Sequence, residues 1–298
     1  MTDKSKGWLN GLAAVLIFSG STAGTRLAVG GFDPFFLTAA RAAIAGLLSG
    51  GLLILIRAPL PTRADLPRLA IVAFGVVLGF PLLSALALQD ITAARALVFQ
   101  GLLPLMTALF GVLRGGERPR PGFWLFSMAG ASAIGVFALS RGADSSPRGD
   151  LLILLAVFVC GLGYAEGAVL SRRLGGLTVI GWALVLCLPV ALPAALLLKP
   201  ATLAAVPATA WGGLAYVSLF SMLIGFIFWY RGLALGGIAA VSQLQLLQPL
   251  FGLAVSALLL HEQVGWPMLG ATAAVVACVA GAKHFSQPPI RKLDQLTY

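Results

Sequence analysis

Glu166, in the run Gly163-Tyr-Ala-Glu-Gly167, is the one carboxylate clearly inside a long apolar stretch of the chain. An acid in hydrocarbon is costly enough that its first reading is functional, as a proton carrier or as the partner of a substrate ammonium. Arg172 follows about one and a half turns later, which keeps open a second reading, an ion pair at the membrane interface. Arg41 is a similar case in the outer part of another apolar stretch, with Asp33 or a helix end as its alternative partner.

Glutamines supply the next candidates. Gln100, Pro104, Thr107 and Gly111 recur at spacings that put them on one face of a helix. Ser242, Gln245, Pro249, Gly252 and Ser256 form a comparable stripe. Such faces could line a polar cavity, or their side chains could simply bond neighbouring helices together. Pro104 and Pro249 each remove a backbone hydrogen bond and predict a kink, either a static bend or a hinge. Pro81 adds a further break of the same kind. Phe80, Phe99, Tyr164, Phe226 and Trp229 could stack on a substrate side chain, or belong to the core or the lipid-facing surface.

Other chemistry finds little material. His261 and His284 are the only histidines, and neither an HExxH pattern nor a Ser/His arrangement accompanies them. Cys160, Cys187 and Cys278 all fall in apolar stretches and behave there as small hydrophobes. No catalytic residue, metal site or cofactor is therefore expected.

The elements that must position these residues follow from composition. The chain is 59% hydrophobic and 10% charged, with a mean hydropathy of +0.97, too little polar surface to coat a water-soluble globule. An all-α membrane protein is expected. Spans are placed at about 8 to 27, 35 to 56, 67 to 88, 92 to 113, 121 to 140, 150 to 171, 177 to 198, 209 to 230, 236 to 260 and 264 to 284, each close to the ~20 residues a bilayer requires. Lys4 and Lys6 precede the first span, which has no convincing cleavage site and reads as a retained helix. The net charge of +10 would suggest nucleic acid in a soluble protein, but here most Lys and Arg residues sit at helix ends. With the N-terminus in the cytoplasm, fourteen of them fall inside and five outside, so both termini are expected to be cytoplasmic.

The two glutamine stripes belong to a duplicated phrase. Gln100 to Pro104 and on to Glu117 repeats as Gln245 to Pro249 and on to Glu262, with an offset of 145 residues. Five spans separate equivalent positions, and five is odd, so the halves 1–145 and 146–298 must cross the membrane in opposite senses. Inverted repeats with a site between them near mid-membrane are a recurrent transporter plan. One chain then supplies both halves, so a monomer suffices.

A family pattern emerges from particular residues. Leu258-Leu-Leu-His-Glu262 before a fresh apolar helix, its copy Leu113-Arg-Gly-Gly-Glu117, Phe18-Ser-Gly-Ser21 and Phe36-Leu-Thr-Ala-Ala-Arg41 together resemble the EamA family of the drug/metabolite transporter superfamily. The resemblance covers nearly the whole chain. It implies ten transmembrane helices in a five-plus-five inverted repeat around a central cavity, and export of small metabolites across a bacterial cytoplasmic membrane. Within the family, the chain looks most like exporters of the YddG type, which carry aromatic and other neutral amino acids. Arg114-Gly-Gly stands where the family prefers an apolar residue, so the end of that helix is expected to finish early. Both Glu117 and Glu262 are expected to cap the helix that follows them. A lipophilic-cation or drug exporter, a passive channel and an intramembrane enzyme are the competing readings.

Overall fold

The computed structural model describes residues 3–115, 120–139, 146–236, 241, 244–245 and 247–286, and every regular element among them is helical. In chain order the helices are α1 (Ser5–Val29), α2 (Pro34–Leu55), α3 (Leu66–Asp90), α4 (Ala93–Arg114), α5 (Pro121–Leu139), α6 (Pro147–Leu174), α7 (Gly176–Leu197), α8 (Ala208–Gly236), α9 (Leu247–Leu259) and α10 (Trp266–Ser286). Seven of these, α1 to α4 and α6 to α8, are long and apolar enough to cross a membrane. The chain is a multi-pass membrane protein. Glu117, Ser242 and the tail beyond Ser286 lie outside the described residues.

Helix starts explain themselves locally. Asp33 accepts from the backbone N–H groups of Phe35 and Phe36 and so caps α2, with Pro34 at its first position. Ser146 accepts from Gly149 N and caps α6. α6 passes to α7 through Gly175, whose φ of +83° no side chain would tolerate cheaply.

The start of α4 departs from expectation. Thr92 accepts from Arg95 N, while the carboxylate of Glu262 accepts from Ala93 N at 3.0 Å and from Ala94 N at 2.8 Å. Glu262 therefore caps α4 across the bundle, and not the helix that follows it. Its own successor α10 begins only at Trp266, and His261, at φ +53°, turns the chain just before the glutamate. Three otherwise unpaired N–H groups of α4 are satisfied in this way.

Packing runs in matched pairs. α1 lies along α8 and α3 along α6; α9 packs on α1 and α4 on α6; α2 faces α7 and α5 faces α10. Small residues set the closest approaches. A Cβ on Gly75 of α3 would stand 2.4 Å from the Val159 carbonyl and 3.3 Å from the Gly163 Cα on α6. A Cβ on Gly232 of α8 would stand 2.9 Å from Gly11 N on α1. In lipid, where no hydrophobic force drives helices together, such backbone contact is a principal source of association.

Buried charge is paired at the contact of α4 with α6. Arg95 of α4 makes a two-pronged bond to Asp150 of α6, at 2.8 and 2.7 Å, and lies 4.8 Å from the ring centroid of Phe137 on α5. Gly75→Ala should therefore lower the thermal unfolding temperature in detergent, by the equivalent of about 1–3 kcal/mol for an overpacked contact. Gly51→Ala, whose added Cβ meets nothing within 4 Å, should be neutral or slightly stabilising.

Candidate functional site

Two kinds of irregularity open the middle of the bundle. The first is π-helical: Ala73–Gly79 in α3 and Tyr216–Ile224 in α8. In α3 the cause is Pro81, which has no N–H and crowds the carbonyl of Val77, so the hydrogen bonds lengthen by one residue and Phe80 N bonds Gly75 O. In α8 the equivalent bond runs from Gly225 N to Phe220 O, where the Phe18 ring lies against the backbone and a Cβ on Gly225 would stand 2.6 Å from it. The second irregularity interrupts α4 at Gly101-Leu102, between Ala93–Gln100 and Leu103–Gly115.

Helices α1, α2, α3, α4, α6, α8 and α9 surround a cavity at these irregularities. Its free volume is about 30 Å³, room for about two waters at ~10–15 Å³ each. Phe18, Phe80, Tyr164 and Phe226 form an apolar wall. The Phe18 and Phe226 rings lie 4.9 Å apart and the Tyr164 and Phe226 rings 5.8 Å, so they brace one another. Polar groups share the rest of the lining with Val76, Leu88 and Leu103. Thr22 donates to Gln100 Oε1 at 3.1 Å, Ser21 donates to Ser221 at 2.8 Å, and Gln248 contributes from α9. Among the described residues of the lining, Arg41 of α2 is the only charged one.

Several residues singled out in the sequence meet here: Gln100, Phe80, Pro81, Tyr164 and Phe226. Others do not. Phe99 is fully buried on the far side of α4, edge-on to Phe137 and near the Arg95 guanidinium. Trp229 is also fully buried, behind the wall formed by Phe18 and Tyr164. Gln245 is buried near Tyr164, and neither its amide N nor its O has a hydrogen bond of good geometry. Ser242 lies outside the described residues. Thr107 donates to the Leu103 carbonyl of its own helix, so it joins no neighbour.

The prolines also shift meaning. Pro104 is the second residue of the restarted part of α4 and Pro249 the third of α9, so both stand in first turns, where a missing N–H costs little. α4 is interrupted at Gly101-Leu102 just before Pro104, where a mid-helix kink was expected.

Glu166 lies outside the cavity lining, toward the Arg114 end of the bundle. Its carboxylate takes Arg114 Nε at 2.5 Å and Arg68 Nε at 3.4 Å, one on each oxygen. Arg173 pairs with Asp65 at the same end. The expected partner Arg172 is not among these pairs. Glu166 thus ties α3, α4 and α6 together.

Ser21, Thr22, Thr25, Ser221, Gln248 and the cavity-facing placement of Arg41 were not foreseen as site features. A usable signal existed for α1, where Ser21 and Thr25 recur four apart within an apolar stretch. Gln248 gave none, since it lies three residues beyond Gln245 in the same apolar run.

A helical membrane bundle with a central cavity, walled by aromatics and hydroxyls from both halves of the chain, has the design of a membrane transporter. The chain belongs to the EamA-like transporter family, whose model matches residues 5–141 and again 147–282. It is 61% identical over 287 residues to "Uncharacterized transporter YdeK" of Bacillus subtilis, covering 96% of this chain and 100% of that one. It is 30% identical over 124 residues to "Uncharacterized transporter sll0355" of Synechocystis, covering 41% and 37% of the two chains. A solved structure described only as that of a protein aligns with a TM-score of 0.68 at 19% identity, over 95% of this chain and 98% of its own. That last likeness is one of fold alone.

Glu166→Gln should lower the unfolding temperature more than Arg68→Ala or Arg114→Ala alone. Each arginine is about half exposed and its loss leaves the other pair, whereas the glutamine loses both, at about 1–3 kcal/mol for a disrupted buried polar tie. Thermal denaturation of the purified variants in detergent checks the order.

Proposed function

We propose that the protein is a secondary transporter that exports small metabolites, aromatic and other neutral amino acids foremost, across a bacterial cytoplasmic membrane. It works by alternating access, with ten spans in two inverted halves and both termini in the cytoplasm. The observation that carries this reading is the central cavity, whose aromatic wall suits an apolar side chain and whose hydroxyls and amides suit polar groups.

Symmetry of packing supports the inverted halves. Exchanging each helix for the one five places away maps α1 on α8 to α6 on α3, and α4 on α6 to α9 on α1, while α2 with α7 and α5 with α10 map onto themselves. The π-helical stretches of α3 and α8 exchange as well, and the family model matches each half once. Rocking one half against the other about a fixed cavity would then open either side in turn. Pro81, Pro104 and Pro249, beside the irregular backbone, are the proposed hinges. At about 30 Å³ the cavity is contracted, and an amino acid enters only when the helices part.

Gln100, Phe80, Tyr164 and Phe226 would contact substrate directly; Gln245, Phe99, Trp229 and Ser242 would act from behind or beyond the lining. Glu166 is the proposed coupling group, since protonating it dissolves its ties to Arg114 and Arg68 together. A lipophilic-cation exporter fits less well, because no carboxylate lines the cavity among the described residues.

The purified protein in liposomes should accumulate and exchange labelled phenylalanine or tryptophan with saturation. Gln100→Ala, still folded, should raise the half-saturating concentration about tenfold for one lost substrate hydrogen bond. A folded wild type that moves neither amino acid refutes the substrate class. In the same assay Glu166→Gln should lose the pH dependence of transport while exchange persists; an unchanged pH profile removes Glu166 from coupling.

A further inference from the structure

Arg41 sits seven residues into α2, about 10 Å along the helix at 1.5 Å per residue. It is 5% exposed, and its recorded hydrogen bond is a single one, from a terminal nitrogen to the Val217 carbonyl at 3.3 Å. Its Nε is buried without a partner. A guanidinium has five N–H donors in a planar fork, so most of its capacity is unspent in a place where water is scarce.

Among the described residues, no acid answers it. Asp33, the partner the sequence suggests, is spent on the N-terminus of α2, and Glu262 on that of α4. Asp150 is held by Arg95, Glu166 by Arg68 and Arg114, Asp65 by Arg173, and Asp90 lies 3.3 Å from Arg148. Among the described residues, Asp3 alone remains, paired with Lys6 near the chain start. The contrast with Arg95 is instructive. Both guanidiniums are buried, yet one has a bidentate carboxylate and the other a cavity.

We propose that Arg41 is the anchor for a substrate carboxylate, which makes the cavity selective for monocarboxylates with an apolar or aromatic tail, zwitterions included. This rests on the transport reading above and names the group by which the substrate is held. A carboxylate matches the guanidinium fork with two charge-assisted hydrogen bonds. The tail then meets Phe80 and Phe226 of the same cavity. An amine without a carboxylate brings a like charge to Arg41 and no acid to receive it.

The test uses the full-length wild type, with four probes that share one tail: phenylalanine, 3-phenylpropionate, 3-phenylpropionamide and phenethylamine. Unfolding temperature in detergent reports binding, and liposome exchange of labelled phenylalanine reports transport. Phenylalanine and 3-phenylpropionate should both stabilise the protein, with the amide and the amine at least tenfold weaker. Arg41→Gln should lose the preference for acid over amide, and Arg41→Lys, which keeps the charge but not the fork, should fall between. If 3-phenylpropionate binds in this way while phenylalanine is neither bound nor exchanged, the anchor stands and the amino-acid reading falls. If phenylalanine is exchanged but Arg41→Gln leaves its half-saturating concentration unchanged, the anchor is overturned and the transport reading stands. Binding of neither acid overturns both. Should Arg41→Gln fail to fold, the wild-type comparison decides: equal binding of acid and amide overturns the anchor.

Discussion

Charge in a low-dielectric bundle must be answered at close range, and this requirement organises the molecule. Leaving one member of a buried ion pair without its partner costs ~3–5 kcal/mol. Arg95 is answered by Asp150, Glu166 by Arg68 and Arg114, and Asp65 by Arg173. Each pair joins different elements, so satisfying the charges also fixes how α3, α4 and α6 meet. The Glu262 carboxylate obeys the same rule with a partial charge, finding the exposed N–H groups of α4. Arg41 stands apart because the cavity, and not an acid, occupies the space beside it.

Backbone polarity imposes a second demand of the same origin. Irregular backbone at membrane depth survives only where protein or a cavity surrounds it. The π-helical stretches of α3 and α8 and the interruption of α4 all border the central cavity, and Val76 and Ser221 of those stretches line it. The interruption at Gly101 follows Gln100 directly, which places that amide at the end of a helical segment facing Thr22. Weak points in the hydrogen-bond ladder and the candidate site thus coincide. The proposed rocking of the halves would use the places where the helices are already least continuous.

The helical membrane class was legible because it depends on quantities summed over many residues: hydropathy, span length and the positions of Pro and Gly. Individual side chains were less legible. Gln100 and Gln245 are equivalent in the repeat, yet one lines the cavity and the other is buried behind it near Tyr164. Phe99 adjoins Gln100 in sequence but points to the opposite side of α4, toward Phe137. Glu262 looked like a local cap, and local reasoning chose the next helix, whereas its oxygens reach residues 168 and 169 positions away. Gly75 and Gly163 meet across α3 and α6, a contact that only the packing of the two helices reveals.

The sequence by itself determined a helical membrane protein, because burying apolar surface and satisfying backbone hydrogen bonds within hydrocarbon depend on composition and period alone; the transporter family was a resemblance carried by motifs such as Leu258-Leu-Leu-His-Glu262. Only the tertiary structure decided which acids were already committed to which bases. Spacing put Asp33 within reach of Arg41 and Arg172 within reach of Glu166, and packing chose neither. Ion pairs form between whatever neighbours the bundle creates, and those neighbours come from distant parts of the chain. The resulting assignment leaves the Arg41 guanidinium facing the cavity.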